Sequence, residues 1–390
     1  MFQGHWNKQS GPDFLESRIR IEREVWVGST EIHVRSSDWK KHKHTGDPAY
    51  ANVILHVVYV DDDPLINEAG QQVPTLELKD LIDASHLEEY YTFIRSEKKL
   101  LCSSGLASIG TLSMQSWFNR MAIERLEERH RFIMTLLHER NGDWNAVWWI
   151  LLCRAIGFGI NQQGFEMMGR NINWKHADRW RLNTTRLEAL LAGVSGWFNL
   201  EDESVPESVR QEFNQLRTMH RYVRVNPAVW QRGKMMPANR PEIRMGQLLV
   251  IIQEGWLNWD KLLAVEQTKT LRTSWKKRIP ALLLGSKSEG LTVPPGDKAI
   301  DLIMTNALIP LMFSYSKVNA LETLSDRAIC WLELIPAEDN HIIRTWLEAG
   351  FKPANVLESQ GIIHLHRHYC CQKKCLSCLI GITLLKERVR

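Results

Sequence analysis

Two periodicities divide the chain. Between residues 14 and 60 apolar positions alternate with polar ones or run together in short blocks, whereas from about Ser108 onward they recur every three or four residues. Residues 14–22 (FLESRIRIE) and 25–35 (VWVGSTEIHVR) predict neighbouring strands joined by a tight turn at Arg23-Glu24. Alternation in the second strand places Glu31, His33 and Arg35 on one face and Ile32 and Val34 on the other. Residues 36–51 are polar and predict a loop with a short helix. Residues 52–60 (NVILHVVYV) are apolar on both faces, as a buried central strand requires. A polar turn region follows over 61–74, and 75–98 predicts one or two short helices.

Helical spacing is carried by 117–130, 143–156, 186–200, 207–223, 243–256 and 305–313, punctuated by prolines such as Pro206, Pro241, Pro280 and Pro336. There is no fixed-period repeat and no low-complexity tract. The pattern predicts an α+β chain: a small α/β module over 1–100, a large mostly helical domain over 101–360, and a cysteine-rich tail over 361–390.

Composition narrows the classes. With 44% hydrophobic and 24% charged residues over 390 positions, the chain is neither disordered nor fibrous. A net charge of +4 permits nucleic-acid binding without arguing for it, so local basic patches must carry that case. The sixteen tryptophans are read mostly as packing, with a minority as base-stacking platforms. The N-terminal residues lack the features of a signal peptide. The most apolar run, 146–160, is too short for a span and contains Arg154. Seven cysteines, an odd number clustered at the tail, suit a reducing compartment. These signs together predict a cytoplasmic protein without a membrane segment; its oligomeric state is not legible. No nucleotide-binding loop and no Gly-x-Ser-x-Gly elbow is present.

Candidate chemistry concentrates between Gly11 and Asp63. Asp13 opens the first strand and Glu31 sits on the second, with His33 and Arg35 beyond it on the same face. A rival set, His33, His42, His44, Asp38, Asp47 and His56, suits Zn, Mn or Fe. On sequence, His42 and His44 read as exposed loop residues and His56 as a core histidine. The bland alternative is a solvated strand face on which Glu31, His33 and Arg35 meet water.

Further along, Cys370-x4-Cys375-x2-Cys378 presents three thiolates for Zn²⁺ or an iron–sulfur cluster, with Cys102, Cys371, Cys330 or His368 as the fourth ligand. Two basic stretches can track phosphates. Arg217, Arg221 and Arg224 recur on what the spacing predicts as one helix face. Arg232, Lys234, Arg240 and Arg244 follow, with Arg232, Asn239, Arg240 and Arg244 as candidate substrate-binding residues. A third group surrounds the tail cysteines: Arg367, Lys373, Lys374, Lys386, Arg388 and Arg390.

The motifs GPDF, W-x-G-x-x-EIHVRSSDW, H-x-H-x-x-DPAY, NVILHVVY, N-R-P-E-I-R and the tail YC-x4-C-L-x-C-x-I-G together resemble an uncharacterised bacterial family, classed only as a domain of unknown function. Relatives usually carry an additional segment before the equivalent of Gly4-His-Trp-Asn7, so a late start lacking a leading helix and strand is expected here. They also tend to have arginines at Lys234 and Met236.

The order of an Asp at a strand start, Glu-x-basic on the next strand, a helical connection and a buried strand resembles the PD-(D/E)xK nuclease core. That resemblance implies Mg²⁺ or Mn²⁺ at Asp13 and Glu31, polarising a scissile phosphate and activating water, with His33 where lysine usually stands and Arg35 as its substitute. Some iron–sulfur nucleases of that superfamily pair one distant cysteine with three near the C-terminus, which implies a staple of Cys102 with Cys370, Cys375 and Cys378. The expected function is metal-dependent hydrolysis of nucleic-acid phosphodiesters. The alternative is a non-catalytic nucleic-acid-binding or assembly protein with a structural metal at the tail cysteines.

Overall fold

A computed structural model describes all residues except Lys8, 68–69, 198–204, Lys234, Met236, 285–289 and 389–390. The fold is mixed α+β, a five-stranded sheet followed by a mostly helical region. The chain divides into two compact units, one formed by Met1–Leu101 with Gly381–Arg390 and the other by Cys102–Ile380.

In the first unit the strands lie in sequence order: β1 (His5–Trp6), β2 (Phe14–Ile21), β3 (Glu24–Arg35), β4 (Val53–Val60) and β5 (Thr75–Glu77). β1, β2 and β3 pair antiparallel, whereas β4 runs parallel to β3 and β5 parallel to β4. The hairpin between β2 and β3 turns at Glu22-Arg23, one residue earlier than expected, with Glu22 at φ 53°. β1 and β5 were not legible: each is too short to show a period, and 75–98 holds a strand before its helix, α2 (Ala84–Arg95).

A parallel pair needs a crossover connection, supplied here by residues 36–52. It contains α1 (Asp38–Lys41) and a single 3₁₀ turn, Pro48–Tyr50, whose start is fixed by the Asp47 side chain accepting from the Ala49 N–H. Where the crossover enters β4 the backbones come very close. A Cβ at Gly28 would meet Ile54 Cγ2 at 2.4 Å and the Asn52 carbonyl at 2.6 Å, so only glycine fits.

Facing of the sheet departs from the usual rule of apolar inside. On β3 Glu31 and His33 are buried, while Ile32 and Val34 are 44% and 67% exposed. Register carries that apolar row across the sheet, Ile32 opposite Val57 and Val57 opposite Leu76, which is 41% exposed. The opposite face, with Glu31, His33 and His56, is roofed by Trp39 of α1 and by the crossover.

The second unit is built on α3 (Thr111–Glu139) and α4 (Trp144–Ile156). α4 is apolar on all sides and correspondingly buried. Its first turn is capped by Asp143, which accepts from Ala146 N–H at 3.0 Å. The helix Val356–Leu365 lies along α3. Tryptophans fill the core: Trp148, Trp149, Trp275 and Trp346 are entirely buried, and the indoles of Trp148 and Trp149 donate to the carbonyls of Trp256 and Gly169. The run Asp297–Val318 is long and apolar enough to cross a membrane by length and composition, yet 72% of that window is buried inside the protein.

Candidate functional site

The buried face of β3 and the crossover above it bring five titratable side chains together. Glu31 enters from β3 and His33 follows two residues later on the same face; His56 lies beside them on β4, in register with Glu31. His42 and His44 descend from the crossover just beyond α1. His33 Nδ1 is 2.8 Å from His56 Nε2, and His33 Nε2 is 3.1 Å from His42 Nδ1. Glu31 Oε1 stands 3.6 Å from both His33 Nε2 and His44 Nε2. One nitrogen from each of His33, His42 and His44 lies within 4.8 Å of the others.

Supporting contacts orient this group. His33 pairs through Nδ1 with His56 Nε2, which leaves its Nε2 on the side of His42, His44 and Glu31. A ligating histidine characteristically engages its second nitrogen in this way. Tyr50 stacks on His44 with ring centroids 3.8 Å apart, and Trp39 packs edge-on against His33, His44 and His56. Asp13 and the Glu31–Ile32 segment of β3 are tied by two bonds of opposite sense. Asp13 N–H donates to Glu31 Oε2 and Ile32 N–H donates to Asp13 Oδ2, each at 3.0 Å. A cavity of about 210 Å³ opens beside His44, Asp47 and Tyr50.

Burial raises the Glu31 carboxyl to about 7, partly offset by the Asp13 N–H bond and reinforced by the Asp13 charge. Burial, then the neighbouring imidazoles His56, His42 and His44, lowers His33 to about 4. The ion-free cluster therefore keeps His33 neutral well below pH 7, while Glu31 changes charge near neutrality. Two donors about 2.1 Å from one ion stand no more than ~4.2 Å apart, so the 3.1 and 3.6 Å separations suit a shared cation. Several imidazoles with one carboxylate favour Zn, Mn or Fe over Mg²⁺.

A pH dependence follows. A cation bound through the Glu31 carboxylate would bind more tightly as pH rises through about 7 and level off above it. Competition with a chromophoric chelator should show Mn²⁺ bound about tenfold tighter at pH 8 than at pH 6. Affinity that is flat over this range would mean Glu31 is not a ligand.

Other expected residues are placed differently. Arg35 is exposed and turns away to Asp62, 3.4 Å from its Oδ2, so it does not join His33 as a substitute for lysine. The solvated-face reading holds for Arg35 and fails for Glu31 and His33. Asp38 and Asp47 are spent on turns, accepting from Arg35 N–H and Ala49 N–H. His42 and His44, which sequence set aside as loop histidines, are part of the cluster.

Arg244 is buried over the Phe158 ring and donates to the side-chain oxygens of Gln247 and Asn239. Arg232 pairs with Glu242 at 3.3 Å, and Arg240 is exposed. Arg217, Arg221 and Arg224 do not share a helix face. The helix Glu207–His220 stops at Arg221, which adopts φ 54°, and Arg224 lies beyond, bonded to the Gly193 carbonyl. Lys234, Met236 and Arg390 fall outside the described residues.

Within the second unit, Cys102, Cys370, Cys375 and Cys378 come close enough for their charges to couple. Burial and that mutual repulsion push the Cys102 thiol up to about 12 and Cys370 higher still. Cys330 is exposed and outside the group. Among the described residues no three of these sulfurs lie within 4.8 Å of one another. A tetrahedral zinc–thiolate site would hold them ~3.8 Å apart.

Residues 1–341 match the family described as "Protein of unknown function (DUF2851)", so the cysteine tail lies beyond the matched region. No curated protein and no solved structure matches the chain.

Proposed function

We propose that this chain, which belongs to that family of unknown function, is a metal-dependent hydrolase of phosphodiesters, with nucleic acid as its substrate class. The observation that carries the reading is the convergence of His33, His42 and His44 on one point, with the Glu31 carboxylate 3.6 Å from two of them. The succession of elements supports it. Asp13 precedes β2, Glu31 lies on β3, a crossover with a short helix follows, and β4 returns parallel to β3. That is the order expected of a PD-(D/E)xK-like core, with His33 in place of lysine. A cation held here would polarise a phosphate oxygen and lower the pKa of a bound water. Asp13, tied to Glu31 through the main chain, positions it; His56 orients His33. Among the lysines of the crossover, Lys40 and Lys41 pair with Asp63 and Asp38 at 2.6 and 2.7 Å, and Lys43 is exposed.

In the same reading the four thiols of Cys102, Cys370, Cys375 and Cys378 form a structural centre. Thiolate ligands suit an iron–sulfur cluster, the staple that the nuclease resemblance implies, or a zinc ion. Visible absorption of anaerobically prepared protein, lost in Cys375→Ser, is the expected signature.

The test of the hydrolase uses His42→Ala, an exposed ligand whose removal leaves the sheet untouched. Full-length protein with Mn²⁺ should cleave single- or double-stranded oligonucleotides, and His42→Ala should reduce the rate about 10–100-fold. No cleavage by the unaltered chain with Mn²⁺, Zn²⁺ or Fe²⁺, or equal cleavage by the variant, would refute the assignment.

A further inference from the structure

A second group of metal-ligating side chains lies in the helical unit, unconnected with the cluster on β3. α3 carries Glu124 and Glu128, four residues apart and so on one face. The helix Val356–Leu365 packed along it continues into a π-helical turn, His366–Cys370, and presents His364 and His368 at the same spacing. Such π turns recur at functional sites. His364 Nδ1 and His368 Nε2 stand 3.6 and 3.3 Å from Glu128 Oε2, and the two imidazole rings lie 4.4 Å apart. One ligand atom from each of Glu128, His364 and His368 falls within 4.8 Å of the other two.

His364 supplies an independent sign. It is only 6% exposed, yet its Nδ1 has no hydrogen-bond partner. A buried imidazole nitrogen left without a bond is costly unless something binds it. Its other nitrogen, Nε2, faces Glu124 Oε2 at 3.6 Å, and Glu124 in turn accepts from the Tyr369 hydroxyl at 3.1 Å.

The group is not sealed. Glu128 and His368 form part of the wall of a cavity of about 840 Å³, whose lining also holds Arg125, Arg129, Arg154 and Arg367. Arg125 is held by Gln360, Arg129 by Asn306 and Arg154 by Glu166, which fixes three guanidinium groups around one space. Burial, with Arg125, Arg154 and Arg367 close by, pulls Arg129 down to about 9, a sign of crowded positive charge. Glu128 and Glu338 are the carboxylates in that lining.

We propose that Glu128, His364 and His368 bind a divalent transition ion whose remaining coordination positions open into the arginine-lined cavity, forming a site for a phosphate-bearing ligand. Three protein ligands with an open position are the pattern of a reactive rather than a structural metal site. Planar guanidinium groups around it match the oxygens of a phosphate.

The test is run on the full chain carrying His33→Ala, His42→Ala, Cys375→Ser and Cys378→Ser, so that its outcome is separate from those of the cluster on β3 and of the tail cysteines. Co²⁺ titration should give a visible spectrum without thiolate charge transfer. His368→Gln, at a half-exposed position, and Glu128→Gln should each weaken that binding at least about tenfold, with circular dichroism unchanged. Inorganic phosphate should then shift the Co²⁺ spectrum, and Arg129→Gln should diminish the shift. Equal Co²⁺ binding by the folded His368→Gln and Glu128→Gln chains would overturn the metal site. A spectrum unmoved by phosphate would overturn the ligand class.

Discussion

Replacing Gly361 by alanine should destabilise the helical unit by about 3 kcal/mol, the upper end of what overpacking a core costs. Helix propensity alone points the other way, because alanine is favoured over glycine by ~1 kcal/mol inside a helix. Contact decides the sign. A Cβ at Gly361 would lie 2.0 Å from the Phe118 carbonyl oxygen and 2.7 Å from its carbon, backbone atoms of α3 that cannot swing aside. Relief requires the helix Val356–Leu365 to move off α3. That motion would disturb the Phe118 ring against Trp346 and Phe351 and the Arg125–Gln360 bond. Denaturant unfolding followed by circular dichroism should show a clear fall in midpoint at unchanged slope. A midpoint that stays or rises would mean that the helices are not in backbone contact.

Glu31→Gln is expected to lower metal-dependent cleavage about a hundredfold or more while leaving the sheet intact. Glutamine retains an acceptor for the Asp13 N–H and matches the shape of the buried carboxylate, so the loss isolates the charge. The same substitution has an opposite effect on ion-free stability at pH 8. A carboxyl whose folded pKa is raised contributes most below its unfolded value of 4.5, and that contribution disappears as pH climbs through about 7. Above pH 7 the folded chain must hold a buried, unneutralised carboxylate, which glutamine removes. The variant should therefore be at least as stable as the parent at pH 8 without metal, and less active with it. Denaturation without metal and cleavage with Mn²⁺ measure the two separately; undiminished cleavage would take Glu31 out of the site.

The sheet and the helices differ in how far they could be read. α3 and α4 were legible because a 3.6-residue period persists over many turns, and the Asp143 cap marks where α4 begins. β2, β3 and β4 were legible from alternation and from the apolar block at 53–60. β1 and β5 span two and three residues, too few to display a period, and exist because a neighbouring strand offers hydrogen bonds. Arg221 shows a different limit, since helical spacing persists in the letters past the point where φ turns positive.

For the site, Asp13, Glu31 and His33 were found because strand alternation is local. His42 and His44 were undervalued because nothing in a polar loop shows that it folds back over a strand. His364, His368 and Glu128 were not picked out as a group, because their meeting is set by helix packing between distant segments.

The crossover from β3 to β4 carries His42 and His44, while Glu31 and His33 lie on the strand it leaves. A cation gripped by both would act as a clasp on the folding topology of the sheet. Parallel pairing closes late, after a long connection has been ordered; a ligand set completed only then is absent from the early part of the folding route. Such an ion would leave the refolding rate nearly unchanged and slow unfolding, because its contacts form beyond the transition state. The metal would thus set the lifetime of the folded sheet as well as its chemistry.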